Sequence, residues 1–143
     1  MTGVGIVSPL GIGTEANWDA LCAGRSGIGM ITHFDASQFS ARIAGQVKDF
    51  DPLRFIDKKD VKKMDVFIQF AIASSQFAMD DAGLSVTEDM ASRVGVFIAS
   101  GIGGFGTIER ERAYSTVHDG AITHEAVARA LGKAYTPLAN ALR

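Results

Sequence analysis

The chain has 143 residues, 47% hydrophobic and 21% charged, with a formal net charge of -2. That length suits one domain with its own core, and the balance argues against a disordered or membrane-spanning polypeptide. The charge gives no overall attraction for nucleic acid.

No apolar run approaches the roughly 20 residues that cross a bilayer, and no signal-peptide pattern opens the chain, so a cytoplasmic protein is expected. The single Cys22 excludes an internal disulfide, cannot build a zinc site alone, and fits a reducing compartment.

Gly5-Ile6-Val7 reads as the end of a strand, and Ser8-Pro9-Leu10-Gly11 turns the chain out of it. Thr14 is the expected N-cap of a short helix with Glu15 in its first turn, and Gly24 is its stop. Trp18, Leu21 and Cys22 fall at i, i+3 and i+4, an apolar stripe expected to face the core. Arg42 to Val47 reads as a strand interrupted by Gly45. Asp51 followed by Pro52 opens a helical turn at Leu53-Arg54-Phe55-Ile56.

From about Lys58 to Ala82 the pattern is helical, ends at Gly83, and is nearly apolar around its circumference in the middle, which predicts burial on more than one side. Arg93-Val94-Gly95-Val96-Phe97-Ile98-Ala99 is a continuous apolar run, as in a parallel strand covered on both faces. A Gly-rich turn and a helix start near Thr107 follow. The alternation of strands and helices predicts an α/β layer architecture.

Gly101 to Gly106 satisfies G-x-G-x-x-G between a predicted strand and a helix start, a pattern that lets backbone N–H groups approach a pyrophosphate. Against a dinucleotide site stand its place away from the domain's first strand and the lack of an acidic residue on a second strand about 20 residues later. Lys58, Lys59, Lys62 and Lys63 cluster with Asp57, Asp60 and Asp65 interleaved, by default a solvated face. His124-Glu125 begins a zinc-helix motif that fails because position 128 is Ala, so no metal site is expected. His33 and His118 have no helical partner at ligand spacing. Asp80 and Asp81 point to different helix faces and do not share a proton.

Thr2-Gly3-Val4-Gly5-Ile6-Val7-Ser8-Pro9-Leu10-Gly11, Ala23-Gly24-Arg25-Ser26-Gly27-Ile28 and Ser100-Gly101-Ile102-Gly103-Gly104, in that order and spacing, resemble the N-terminal part of the β-ketoacyl-[acyl carrier protein] synthases, specifically the type II elongation enzymes of fatty-acid synthesis. The resemblance runs from Met1 to about Glu111. It implies a partial thiolase-like layered fold, less than one of the family's two halves, with residues 1–112 as the synthase-like region and 113–143 as a divergent, Ala-rich helical tail.

The same resemblance implies that Ile102 touches the fatty-acyl tail and that Lys59, Lys62 and Lys63 receive an acidic acyl carrier protein. It implies no cofactor, and a homodimer for full-length members. The family's reaction transfers an acyl group to a cysteine, then decarboxylates malonyl-carrier to a carbanion that attacks the thioester. The cysteine, two histidines and lysine of that reaction belong to later parts of longer chains. No catalytic residue is assigned here, and the chain alone is expected to be inactive. Cys22, in mid-helix on the apolar stripe, reads as a core cysteine.

Overall fold

The computed structural model describes residues 1–110. In chain order the elements are β1 (Val7–Ser8), β2 (Gly11–Ile12), α1 (Thr14–Cys22), β3 (Ile28–Met30), β4 (Ile43–Gly45), a 3-10 turn (Pro52–Arg54), α2 (Lys58–Val61), α3 (Val66–Ala82) and α4 (Glu88–Ala91). Residues 105–110 are again helical. The described residues form two compact units: Met1–Asp51 with Ala73–Ser85, and Pro52–Ile72 with residues 86–110.

In the first unit, β1 and β2 pair antiparallel with Val7 opposite Ile12 and Ser8 opposite Gly11. Pro9 and Leu10 turn the chain between them, and the Leu10 N–H donates to the Ser8 hydroxyl at 3.1 Å. The second hairpin pairs β3 and β4 antiparallel, Ile28 with Gly45 and Met30 with Ile43.

Residues 3–5 lie directly on the C-terminal half of α3. A Cβ on Gly3 would stand 2.1 Å from the Ala78 carbonyl oxygen, and one on Gly5 would stand 1.9 Å from that of Ser74. Only glycine allows backbone to approach backbone so closely. The Ala and Ser residues of α3 supply the matching small surface, with Ala73 fully buried. The Val4 N–H donates to the Asp81 carboxylate at 2.8 Å, while Asp80 accepts from Gln76 at 2.8 Å. The adjacent carboxylates thus serve separate partners, as neighbours on a helix must.

Helix α1 begins differently from the sequence expectation. Gly13, not Thr14, is the N-cap, and the Thr14 hydroxyl instead donates to the Val4 carbonyl at 2.9 Å. Asn17, 2% exposed, donates to the Gly11 and Gly13 carbonyls at 2.8 and 2.7 Å and accepts from the Ser8 hydroxyl. These bonds fix the helix's rotation on the first hairpin.

With Asn17 and Ala20 inward, the stripe of Trp18 and Leu21 is exposed. Cys22 is exposed as well, so it is not a core cysteine. The stripe expected to face the core thus faces outward, and the polar bonds of Asn17 hold the opposite face inward.

Both long helices end in the same device. The N–H of Arg25 bonds to Ala20 and that of Gly24 to Leu21, at 2.9 and 3.0 Å, after α1. Leu84 bonds to Met79 and Gly83 to Asp80, at 2.9 and 3.1 Å, after α3. Both patterns are Schellman closures.

In the second unit the expected single helix from Lys58 to Ala82 is broken at 62–65 into α2 and α3. The break is sealed by Gln69, 8% exposed, whose amide donates to the carbonyls of Met64 at 3.1 Å and Val61 at 3.4 Å. Helix-terminal carbonyls that lack intrahelical partners are thereby satisfied. The turn at Pro52 forms as predicted, its carbonyl accepting from the N–H groups of Phe55 and Ile56 at 3.0 and 2.9 Å. Ile68 is fully buried in α3.

The apolar run 93–99 is not in a β ladder among the described residues, and Phe97 is 99% exposed. A parallel strand requires a neighbour delivered by a crossover, and both strand pairs among the described residues are antiparallel hairpins. The strand expected at 93–99 is therefore not formed among the described residues. No helix among the described residues is long and apolar enough to cross a membrane.

Candidate functional site

The residues to which the sequence assigned recognition roles, Lys59, Lys62, Lys63 and Ile102, all fall in the second unit. Lys58 and Lys59 lie on α2, and Lys62 and Lys63 on the break after it. All four lysines are exposed. Asp57 precedes α2 as its N-cap residue, where a carboxylate favours the helix N-terminus.

The lysines are not equivalent. Lys63 Nζ is 2.8 Å from Asp60 Oδ1, and Lys59 Nζ is 3.7 Å from Asp57 Oδ2. The Lys63 hydrogen bond holds the Asp60 carboxyl below its ordinary value of 3.8, helped by the charges of Lys63 and Lys59. No ion pair joins Lys58 or Lys62 to a carboxylate among the described residues. Lys62 therefore presents a less compensated charge than its neighbours, although exposed pairs of this kind neutralise each other only weakly.

The Gly-rich turn is built around Ser100, whose hydroxyl accepts the Gly103 N–H at 3.0 Å. Gly103 has φ of 78°, where a side chain would be strained. Ile102 sits on this turn, 68% exposed. Its aliphatic surface is open to contact.

The helical stretch 105–110 begins directly after the turn. Thr107, buried, donates from Oγ1 to Asp65 Oδ2 at 2.6 Å. Arg110 donates from Nη2 to the same hydroxyl at 2.9 Å and lies 4.0 Å from Asp65 Oδ1. Sequence reasoning treated Asp65 only as one of several interleaved carboxylates. Its position after Lys62-Lys63-Met64 and before an apolar run signals a helix entry, but nothing local points to a partner 42 residues away.

This arrangement counts against a dinucleotide site at Gly101–Gly106. A Cβ on Gly101 would meet nothing within 4 Å, and one on Gly106 would make ordinary contact at 3.7 Å. Gly106 is therefore not pressed against a neighbouring strand, as the third glycine of the fingerprint is. The Asp65 carboxylate also occupies the helix start where that reading needs a pyrophosphate, and two negative groups there repel.

His33 is exposed in the loop after β3. His118, His124 and the Ala-rich segment lie outside the described residues. Among the described residues no group of three or more His, Cys, Asp or Glu is placed to hold a metal ion.

Known proteins match this chain closely. It is 55% identical over 109 residues to the 3-oxoacyl-[acyl-carrier-protein] synthase 2 of Vibrio harveyi, covering 76% of this chain and 26% of that protein. The protein of the same name from Coxiella burnetii is 52% identical over 110 residues, 77% of this chain and 27% of the relative. The chain spans about a quarter of the length of these curated relatives.

Among solved structures, the ishigamide ketosynthase/chain length factor aligns with TM-score 0.70 and 32% identity, covering 100% of this chain and 36% of that one. A beta-ketoacyl synthase from Burkholderia phymatum STM815 aligns with TM-score 0.68 at 22% identity, covering 96% and 36%. The fold is thus a partial α/β thiolase-like one, as the sequence implied. The family described as beta-ketoacyl synthase, N-terminal domain, matches residues 1–142, and the chain belongs to that family.

Proposed function

We propose that this chain supplies the carrier-docking face and part of the acyl-contact wall of a cytoplasmic 3-oxoacyl-[acyl carrier protein] synthase of fatty-acid biosynthesis. The observation that carries the reading is the exposed lysine face at α2 and the break after it, borne by a chain 55% identical to such a synthase. Lys59, Lys62 and Lys63 attract an acidic acyl carrier protein. Lys62, without a carboxylate partner among the described residues, contributes most. Attraction of this kind speeds encounter and weakens as salt screens it.

Ile102 then contacts the delivered acyl chain. Each methylene removed from water contributes about 0.8 kcal/mol, and an aliphatic side chain on an exposed turn is suited to that. The decarboxylative condensation needs a thiolate held beside a proton-accepting or charge-stabilising group. Cys22, the chain's single cysteine, is exposed at the C-terminal end of α1, and no His or Lys hydrogen-bonds to it among the described residues. On this reading the 143-residue polypeptide by itself is expected to form no 3-oxoacyl product.

The test is titration with acyl carrier protein at low ionic strength, comparing the parent with Lys62→Glu and with the Lys59→Glu, Lys62→Glu, Lys63→Glu triple variant. Affinity falls at least tenfold in the triple variant, and the single Lys62 change accounts for most of the loss. Equal affinity of parent and triple variant, or no binding by the parent, refutes the docking role. Formation of 3-oxoacyl product by the purified chain refutes the absence of activity.

A further inference from the structure

We infer that Asp65 is a positioning residue: its carboxylate fastens the turn bearing Ile102 to the lysine segment, so that the carrier-docking face and the acyl-contact turn respond as one piece. The functional meaning of this fastening rests on the docking proposal. The fastening itself rests on geometry alone.

Asp65 ends the break formed by Lys62, Lys63 and Met64 before it. Its main chain opens α3, with its carbonyl accepting from the N–H groups of Ile68 and Gln69 at 3.0 and 3.3 Å. The preceding carbonyl, that of Met64, accepts from the Gln69 side chain at 3.1 Å. The backbone on the lysine side of Asp65 is therefore held firmly.

The side chain of Asp65 reaches the other segment. It is 15% exposed, and the 2.6 Å bond it accepts from Thr107 is a short contact of hydroxyl to carboxylate, stronger than a neutral pair. Thr107 is itself buried, so water competes poorly for either group. The hydroxyl's single proton is committed to Asp65, while its oxygen accepts from Arg110 at 2.9 Å.

Thr107 stands five positions after Ile102, and the two are joined by a short, stiff path. Gly103 is pinned to Ser100, and the Ile108 N–H donates to the Gly104 carbonyl at 3.0 Å, which starts the helical stretch. A displacement at Lys62 to Met64 therefore moves Asp65, and Asp65 moves the base of the Ile102 turn.

The test uses the full 143-residue protein labelled with nitrogen-15 and with carbon-13 at the isoleucine δ1 methyls, and the variants Asp65→Ala, Asp65→Asn, Thr107→Val and Thr107→Ser. Asp65→Ala shifts the Ile102 methyl resonance although the change is 37 residues distant. Thr107→Val, which keeps side-chain shape if Asp65→Ala fails to fold, shifts both the Ile102 methyl and the Lys62, Lys63 and Met64 amides. Asp65→Asn and Thr107→Ser re-form the hydroxyl bond and return these signals toward the parent positions. An Ile102 methyl unmoved by both Asp65→Ala and Thr107→Val, or a failure of Thr107→Ser to restore what Thr107→Val moved, overturns the inference.

A second arm adds acyl carrier protein at low salt. The Ile102 methyl responds in the parent and not in Thr107→Val, while the two proteins bind carrier within about twofold of each other. An equal response in both overturns the coupling. Failure of the parent to bind carrier refutes the docking proposal, and the carrier-free arm still decides the fastening.

Discussion

Replacing Gly5 with alanine is the sharpest test of how the first unit is built. The added Cβ would lie 1.9 Å from the Ser74 carbonyl oxygen and 2.7 Å from the Ala78 nitrogen, both backbone atoms of α3. Real Cβ contacts essentially never fall below 3.0 Å, so the residue 3–5 segment must retreat from the helix by about 1 Å. Neither obstacle can rotate away, because each belongs to a hydrogen-bonded helix. Overpacking of a tight site costs about 1–3 kcal/mol.

The retreat also stretches the 2.8 Å bond from Val4 to Asp81, and a hydrogen bond to a charged group contributes about 1.5–3 kcal/mol. The expected loss for Gly5→Ala is about 3–5 kcal/mol, a large part of the 5–15 kcal/mol that holds a domain together. Urea unfolding followed by far-ultraviolet circular dichroism measures it. Gly101→Ala is the matched control, since its Cβ meets nothing within 4 Å, and it stays within about 0.5 kcal/mol of the parent. A Gly5→Ala variant that unfolds within about 1 kcal/mol of the parent would refute the close approach of residues 3–5 to α3.

Asn17→Ala removes the donor to the Gly11 and Gly13 carbonyls and the acceptor for the Ser8 hydroxyl. It should destabilise by about 2–4 kcal/mol in the same urea assay, whereas a value under about 1 kcal/mol would show the network to be dispensable. At α2, the Asp60 carboxyl titrates below 3.8 because Lys63 hydrogen-bonds to it. A lowered carboxyl pKa contributes stability that is present above the unfolded value and is lost as pH falls through the folded one. Carbon-13 titration of Asp60 should show its midpoint rising toward 3.8 in Lys63→Met, and an unchanged midpoint would deny that Lys63 is the cause.

The C-terminal stops of α1 and α3 were readable because their chemistry is local. Gly24 and Gly83 each complete a closure among residues at most five apart, and the Pro52 turn is equally self-contained. The break at 62–65 was not readable. Its cause is Gln69, a residue with good helix propensity that here serves the carbonyls of another helical turn.

The inward face of α1 was misjudged for a related reason. Trp18 and Leu21 outweigh Asn17 on any hydropathy scale, yet Asn17 has carbonyls from the preceding turn within reach and so takes the buried position. The roles proposed for the lysine face and the Ile102 turn come from the family resemblance alone, while the Asp65 to Thr107 bond joins residues 42 apart and left no local trace.

The apolar backbone at 93–99 has a practical consequence. Val96 and Phe97 are exposed and the segment has no ladder among the described residues. Exposed β-branched and aromatic side chains on a segment outside any ladder invite intermolecular cross-β growth. Arg93 is the only charged gatekeeper within the run, so concentrated preparations of this polypeptide will be prone to fibrillar precipitation, and a second charge beside Phe97 is the direct way to keep it in solution.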